Sequence, residues 1–178
     1  MKKSVKWVIG IAAVAGVALL GVRQYQAEIG TAMFQRAVDS RVGRDVTATL
    51  PDGLHVALCG TGSPLPNADR AGACTVVIAG KRIFVVDAGE GGARNISMMG
   101  IPNGKIEGIF LTHFHSDHFN DLATLINAGW IWGRKTPLEV QGPVGTKQVL
   151  DGFAQAYALD EGYRSKNMPH LAKNRTVA

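Results

Sequence analysis

Positive charge is scarce in the body of this chain. The 178 residues carry 19 Lys and Arg against 14 Asp and Glu, a formal net charge of +5, but the excess lies at the two ends. Lys2, Lys3 and Lys6 open the chain, and Arg164, Lys166, Lys173 and Arg175 follow the last acid, Glu161. Between residues 31 and 163, eleven basic residues face thirteen acidic ones. A nucleic-acid surface normally shows as a basic face or stripe, so this balance argues against one. Other absences narrow the field further. No internal repeat is visible, which excludes a repeat array. Gly60-Thr61-Gly62-Ser63 lacks the lysine and spacing of a phosphate-cradling loop, so it reads as a tight turn and not as a nucleotide site. Cysteine is limited to Cys59 and Cys74. They are either a disulfide or two small buried apolar residues, and nothing local decides between these.

What is present is a globular composition with 46% hydrophobic residues and 22 glycines, many in turn-like clusters. That pattern predicts a loop-rich α/β domain. Trp7 to Val22 is an uncharged run of sixteen residues behind three lysines. No small-x-small cleavage site follows, since Arg23-Gln24-Tyr25-Gln26 comes directly after it. This predicts an uncleaved membrane anchor over residues 1–23, with the lysines inside and the remainder exported. Residues 24–50 then form a helix and linker, and residues 51–178 the domain proper.

Within that domain β-branched and aromatic runs predict strands at 54–58, 74–79, 83–86, 106–111 and 138–141. Helices are expected at 93–99, 120–130 and 146–158, the last carrying Val149, Leu150, Phe153 and Tyr157 on one face. The final fifteen residues read as polar and irregular.

The chemistry concentrates in Thr112-His113-Phe114-His115-Ser116-Asp117-His118, which holds three of the five histidines. Imidazole and carboxylate are ordinary zinc ligands. In extended backbone, residues i and i+2 point the same way, so His113 and His115 can share one ion. Asp117 and His118 fall where the chain turns into a helix and can address a second ion nearby. Two ions that close suit hydrolysis, because they acidify water and offset charge on the leaving oxygen. Asp87, at the end of the 83–86 strand, is expected to orient a ligand or its loop, and also to cap the turn that follows. His55 and His170 stand alone and read as ordinary surface or core histidines. Trp130 and Trp132 read as packing residues.

Three segments resemble the metallo-β-lactamase superfamily, and within it the ribonuclease Z and arylsulfatase-like branch. They are Gly60-Thr61-Gly62-Ser63-Pro64 with Arg70 following, Val86-Asp87-Ala88-Gly89-Glu90-Gly91, and Leu111 through His118. Gly142-Pro143-Val144-Gly145-Thr146 fits a family turn as well. The resemblance covers about Leu54 to Tyr157 and implies an αββα sandwich of two similar halves, of which this chain shows the first. It implies two zinc ions, His113 and His115 on one, Asp117 and His118 on the other, with Asp117 also orienting the attacking water. It implies three further ligands from the second half, for which this sequence offers no candidate beyond His170. The reading that follows is an exported, membrane-anchored hydrolase of small sulfate or phosphate esters, with a homodimer as one assembly. The alternatives are a ribonuclease Z-like tRNA 3′-processing nuclease and a truncated, non-catalytic relative.

Overall fold

The computed structural model describes residues 2–41, 43–65 and 67–172. The basic tail residues Lys173 and Arg175 therefore lie outside the described residues. Two compact units are present, Met1–Val42 and Gly43–Ala178.

The first unit is one continuous helix, α1 (Lys2–Arg41), of 40 residues. The expected anchor and the helix beyond it are thus a single element. Among the described residues no helix is long and apolar enough to cross a membrane. The membrane-anchored, exported reading is therefore overturned. The physical reason is in the run itself. Sixteen uncharged residues fall short of the ~20 that a span requires, and glycine and alanine dilute their apolarity.

The second unit is built on a five-stranded mixed sheet in the order β1-β2-β3-β4-β5. β1 (Leu54–Gly60), β2 (Cys74–Ala79) and β3 (Arg82–Val86) form an antiparallel meander. The Gly80 turn between β2 and β3 has φ +61°, a conformation that glycine adopts without a side-chain penalty. β4 (Ile106–Phe110) and β5 (Glu139–Gln141) add in parallel. Parallel pairing demands crossovers, and helices supply them. α2 (Gly92–Met98) joins β3 to β4, while α3 (Ser116–Phe119) and α4 (Leu122–Ile131) join β4 to β5. The helix expected over 120–130 is α4, and the short α3 precedes it within the His-rich run. α5 (Thr146–Asn167) runs well past residue 158, because no proline interrupts it before Met168-Pro169. α6 (Pro169–Ala172) follows, so the tail is helical as far as residue 172.

The core lies on one face of the sheet. Val76, Ile78, Ile83, Val85, Ile106 and Ile109 point into it and meet Ile96 of α2 and Leu122 and Leu125 of α4. Cys59 and Cys74 belong to the same cluster and are joined as a disulfide. Trp130 is buried and donates from Nε1 to the carbonyl of Leu171 at 3.2 Å, whereas Trp132 is exposed and does not pack as expected. Arg134 is wholly buried, and its Nε and Nη2 have no hydrogen-bond partner. Burial pulls its pKa down to about 10.

Candidate metal centre

β3 and β4 are adjacent and parallel, so their C-terminal ends lie side by side and deliver two loops to one place. Asp87 follows β3 and the His-rich run follows β4. Leu111 extends the ladder by donating its N–H to the Gln141 carbonyl at 2.8 Å, and the run begins at the next residue.

Asp87 is the hinge of this arrangement. It is buried and has φ +59°, the only non-glycine residue with positive φ among the described residues. Such backbone carries a cost that its surroundings must outweigh. They do so with hydrogen bonds. Oδ1 accepts from the backbone N–H of Thr112 at 2.8 Å, Oδ2 accepts from the Thr112 hydroxyl at 2.8 Å, and Oδ2 also meets Nδ1 of His118 at 2.8 Å. The backbone reinforces the same contact: Ala88 N–H donates to the His118 carbonyl, and Asp121 N–H donates to the Ala88 carbonyl. Gly89 must be glycine here, because a Cβ would collide with the backbone of Asp117, Gly72 and Ala73.

With Nδ1 of His118 engaged by Asp87, its Nε2 is left facing Oδ2 of Asp117 at 3.6 Å. Nδ1 of His113 meets the Thr112 hydroxyl at 3.0 Å, and its Nε2 lies 3.0 Å from Nδ1 of His115. The His113 ring stands 4.6 Å from that of His115 and 4.0 Å from that of His118, centroid to centroid. The four side chains therefore gather as two adjoining pairs, His113 with His115 and Asp117 with His118. Two nitrogens on one tetrahedral zinc, each at ~2.1 Å, stand ~3.4 Å apart, so the pair spacing is of the right order for a shared ion. The donor chemistry fits a divalent cation. Among the described residues, however, no group of three or more His, Cys, Asp or Glu side chains is arranged to hold one. His55 is elsewhere, with Nε2 on the Pro51 carbonyl at 2.9 Å, and His170 lies exposed on α6.

An open cavity of about 1040 Å³ adjoins Asp117. One wall comes from residues 63–65 and 67–72; α2 supplies Arg94, and the α3–α4 junction supplies Asn120 and Asp121. Two structural parts escaped the sequence reading. Thr112 was legible only as a member of the run, yet its hydroxyl links Asp87 to His113. Asp121 precedes α4 as a capping residue would, but its carboxylate instead accepts from Ala93 N–H on α2 at 3.2 Å. Burial raises the Asp121 pKa, outweighing hydrogen bonds from Ala93 and Gly91 that lower it.

Residues 68–141 match the model of the metallo-beta-lactamase superfamily. Ribonuclease Z of Mycobacterium marinum is 38% identical over 114 residues, which are 62% of this chain and 41% of that protein. Ribonuclease Z of Mycolicibacterium gilvum is 40% identical over 114 residues, again 62% of this chain and 40% of the relative. The chain thus spans about two fifths of the length of these curated relatives. Among solved structures, human tRNase Z, short form, superposes with a TM-score of 0.52 at 30% identity, over 59% of this chain and 39% of that one. A metallo-beta-lactamase fold protein from Bacillus subtilis superposes with a TM-score of 0.50 at 23% identity, over 57% of this chain and 42% of that one, which speaks to the fold alone. The two mycobacterial relatives and the human structure are ribonucleases by name. They overturn the expectation of a small-molecule ester substrate with nucleic acid unlikely, which rested on a charge count that cannot see how a folded surface groups its charges. This chain carries a metallo-β-lactamase superfamily domain.

Proposed function

We propose that this domain is the metal-binding half of a ribonuclease Z-like phosphodiesterase acting on tRNA-type RNA. The observation that carries the reading is the paired set His113–His115 and Asp117–His118 at the end of β4, braced by Asp87. The identity of about two fifths to proteins named ribonuclease Z supports it. The arylsulfatase-like reading has no comparable support.

In this proposal His113 and His115 hold one zinc, and Asp117 and His118 hold the other. The bound cations supply Lewis-acid chemistry, acidifying water and offsetting negative charge on the ester oxygens. The chain's own residues do the positioning. Asp87 accepts a hydrogen bond from Nδ1–H of His118, a tautomer that would leave Nε2 free to hold an ion. Thr112 holds Nδ1 of His113 in the same way and ties that histidine back to Asp87. Asp117 accepts a hydrogen bond from the attacking water and aims it at phosphorus. The cavity beside Asp117 receives the RNA strand.

A second reading concerns these 178 residues by themselves. Their donors stand in pairs, and a zinc ion takes four ligands, three of them from protein in a catalytic site. The chain alone is then a weak zinc binder without turnover. Both readings meet in one experiment. The purified chain is assayed for zinc content and for 3′-trailer cleavage of precursor tRNA, alone and mixed with the remaining part of a ribonuclease Z relative. Weak zinc binding and no cleavage alone, with both rising in the mixture, are expected. Two tightly held zinc ions and RNA cleavage by the chain alone would refute the incomplete-site reading. Restored zinc with no RNA cleavage in the mixture would refute the ribonuclease reading.

A further inference from the structure

The disulfide sits where the cavity wall begins. Cys59 is the penultimate residue of β1, Cys74 opens β2, and their Cα atoms are 5.0 Å apart. Between them runs the loop 60–73, which carries Arg70 and supplies one wall of the cavity beside Asp117. Among its described residues none is buried, so no apolar side chain of its own anchors it. Among the described residues it is tied by backbone hydrogen bonds from Gly62 N–H to the Ala71 carbonyl, from Gly72 N–H to the Glu90 carbonyl and from Gly89 N–H to the Ala73 carbonyl, and by Asp69 N–H to Asn67 Oδ1. The covalent link fastens the loop's base.

The bond itself is buried, with Cys59 1% and Cys74 2% exposed, so a reagent reaches it only when this corner opens. β1 is an edge strand, and its ladder with β2 shifts register between Leu58 and Gly60, which leaves Cys59 out of the regular pairing. Buried Gly92 at the start of α2 packs directly on the Cys74 sulfur, where a Cβ would clash, and Asn95 of α2 donates to the Cys59 carbonyl at 2.8 Å. Opening this corner requires the end of β1 to separate from β2 and α2 at the margin of the core, a sub-global event of the kind that proteins undergo below their full unfolding free energy.

We propose that Cys59–Cys74 is a redox-modification site that takes a dithiol reductant and governs the order of the 60–73 loop. One thiolate of the reductant attacks a cystine sulfur, the Cys59–Cys74 bond breaks, and a mixed disulfide forms. The reductant's second thiol displaces it and leaves as the cyclic disulfide. Two electrons pass from the dithiol to the cystine, and its two protons end on the two cysteine thiols. With the bond open, the loop and Arg70 are held by hydrogen bonds alone and the cavity wall loosens. This inference concerns the loop and does not rest on the ribonuclease reading.

The test uses the full chain. It is incubated with dithiothreitol under native conditions, sampled for thiol alkylation, and exposed briefly to trypsin. Cleavage after Arg70, in the loop, should rise at least about tenfold on reduction, while cleavage after Arg82, in β3, stays unchanged. The Cys59→Ser/Cys74→Ser chain should show the fast Arg70 cleavage with and without dithiothreitol. Reoxidation of the wild-type chain should slow the cut again. Three results would overturn the proposal: two alkylatable thiols in the untreated protein, a bond that resists dithiothreitol until the whole chain unfolds, or complete reduction with Arg70 cleavage unchanged. If the double variant does not fold, the reduced wild-type chain still decides.

Discussion

Both faces of the sheet carry a cluster of apolar residues, and the two clusters are opposite in fate. Cross-strand register puts Leu54, Val56, Leu58, Val77, Phe84 and Phe110 on one face, and Val76, Ile78, Ile83, Val85 and Ile109 on the other. The second set is buried under α2 and α4. On the first face Leu54, Val56 and Leu58 are 71%, 60% and 59% exposed. An antiparallel sheet meant to face water alternates apolar with polar residues; one that is apolar on both sides is built to be covered on both. A bare apolar face of this kind is prone to association. The incomplete donor set beside the same sheet tells the same story in a different chemistry: this domain presents unfinished surfaces, one apolar and one polar.

The sharpest way to break that comparison is to mutate both faces. Ile109→Ala on the covered face should cost ~2–5 kcal/mol, because it empties a fully buried site between sheet and helices. Val56→Thr on the bare face should change stability by less than ~0.5 kcal/mol and raise the soluble yield. Urea unfolding of both variants is the measurement. Equal losses would mean that the bare face is already covered in solution.

Asp87→Ala tests whether the polar end is as organised as the core. It removes the acceptor of Thr112 N–H, the Thr112 hydroxyl and His118 Nδ1. Leaving such groups without a partner should cost ~1–3 kcal/mol. Zinc retention should fall ~10–100-fold in a chelator competition if Asp87 orients His118 for a metal. A loss of stability with zinc affinity unchanged would leave Asp87 only its part in shaping the loop.

The smallest effect belongs to the far end of the helical layer. A hydrogen bond from Arg164 holds the Asp160 carboxyl below its usual pKa, against the opposing effect of burial and with help from Asn127. A carboxylate with a depressed folded pKa stabilises above its unfolded value, 3.8, and that contribution is lost as pH falls through the folded pKa. The pair is partly exposed, so the effect should stay under ~0.5 kcal/mol. Thermal unfolding between pH 5 and 3 should show a slightly shallower fall for Asp160→Asn than for the wild-type chain.

What the sequence determined by itself is local. The strands were legible because β-branched runs end at glycine and proline. The four donors were legible because Thr112 to His118 is one short stretch whose geometry follows from an extended backbone entering a helix. Composition, by contrast, misled. A charge count argued against nucleic acid, and a sixteen-residue apolar run was read as an anchor where the structure has one unbroken α1. Everything that joins distant residues was left to the tertiary structure. Parallel pairing of β3 with β4 brings Asp87 to Thr112 and His118, 25 and 31 positions away. Antiparallel pairing of β1 with β2 brings Cys59 to Cys74. Which face of a sheet with apolar clusters on both sides is sealed depends on where the crossover helices pass, and a period of two residues records that there are two faces without saying which one is covered.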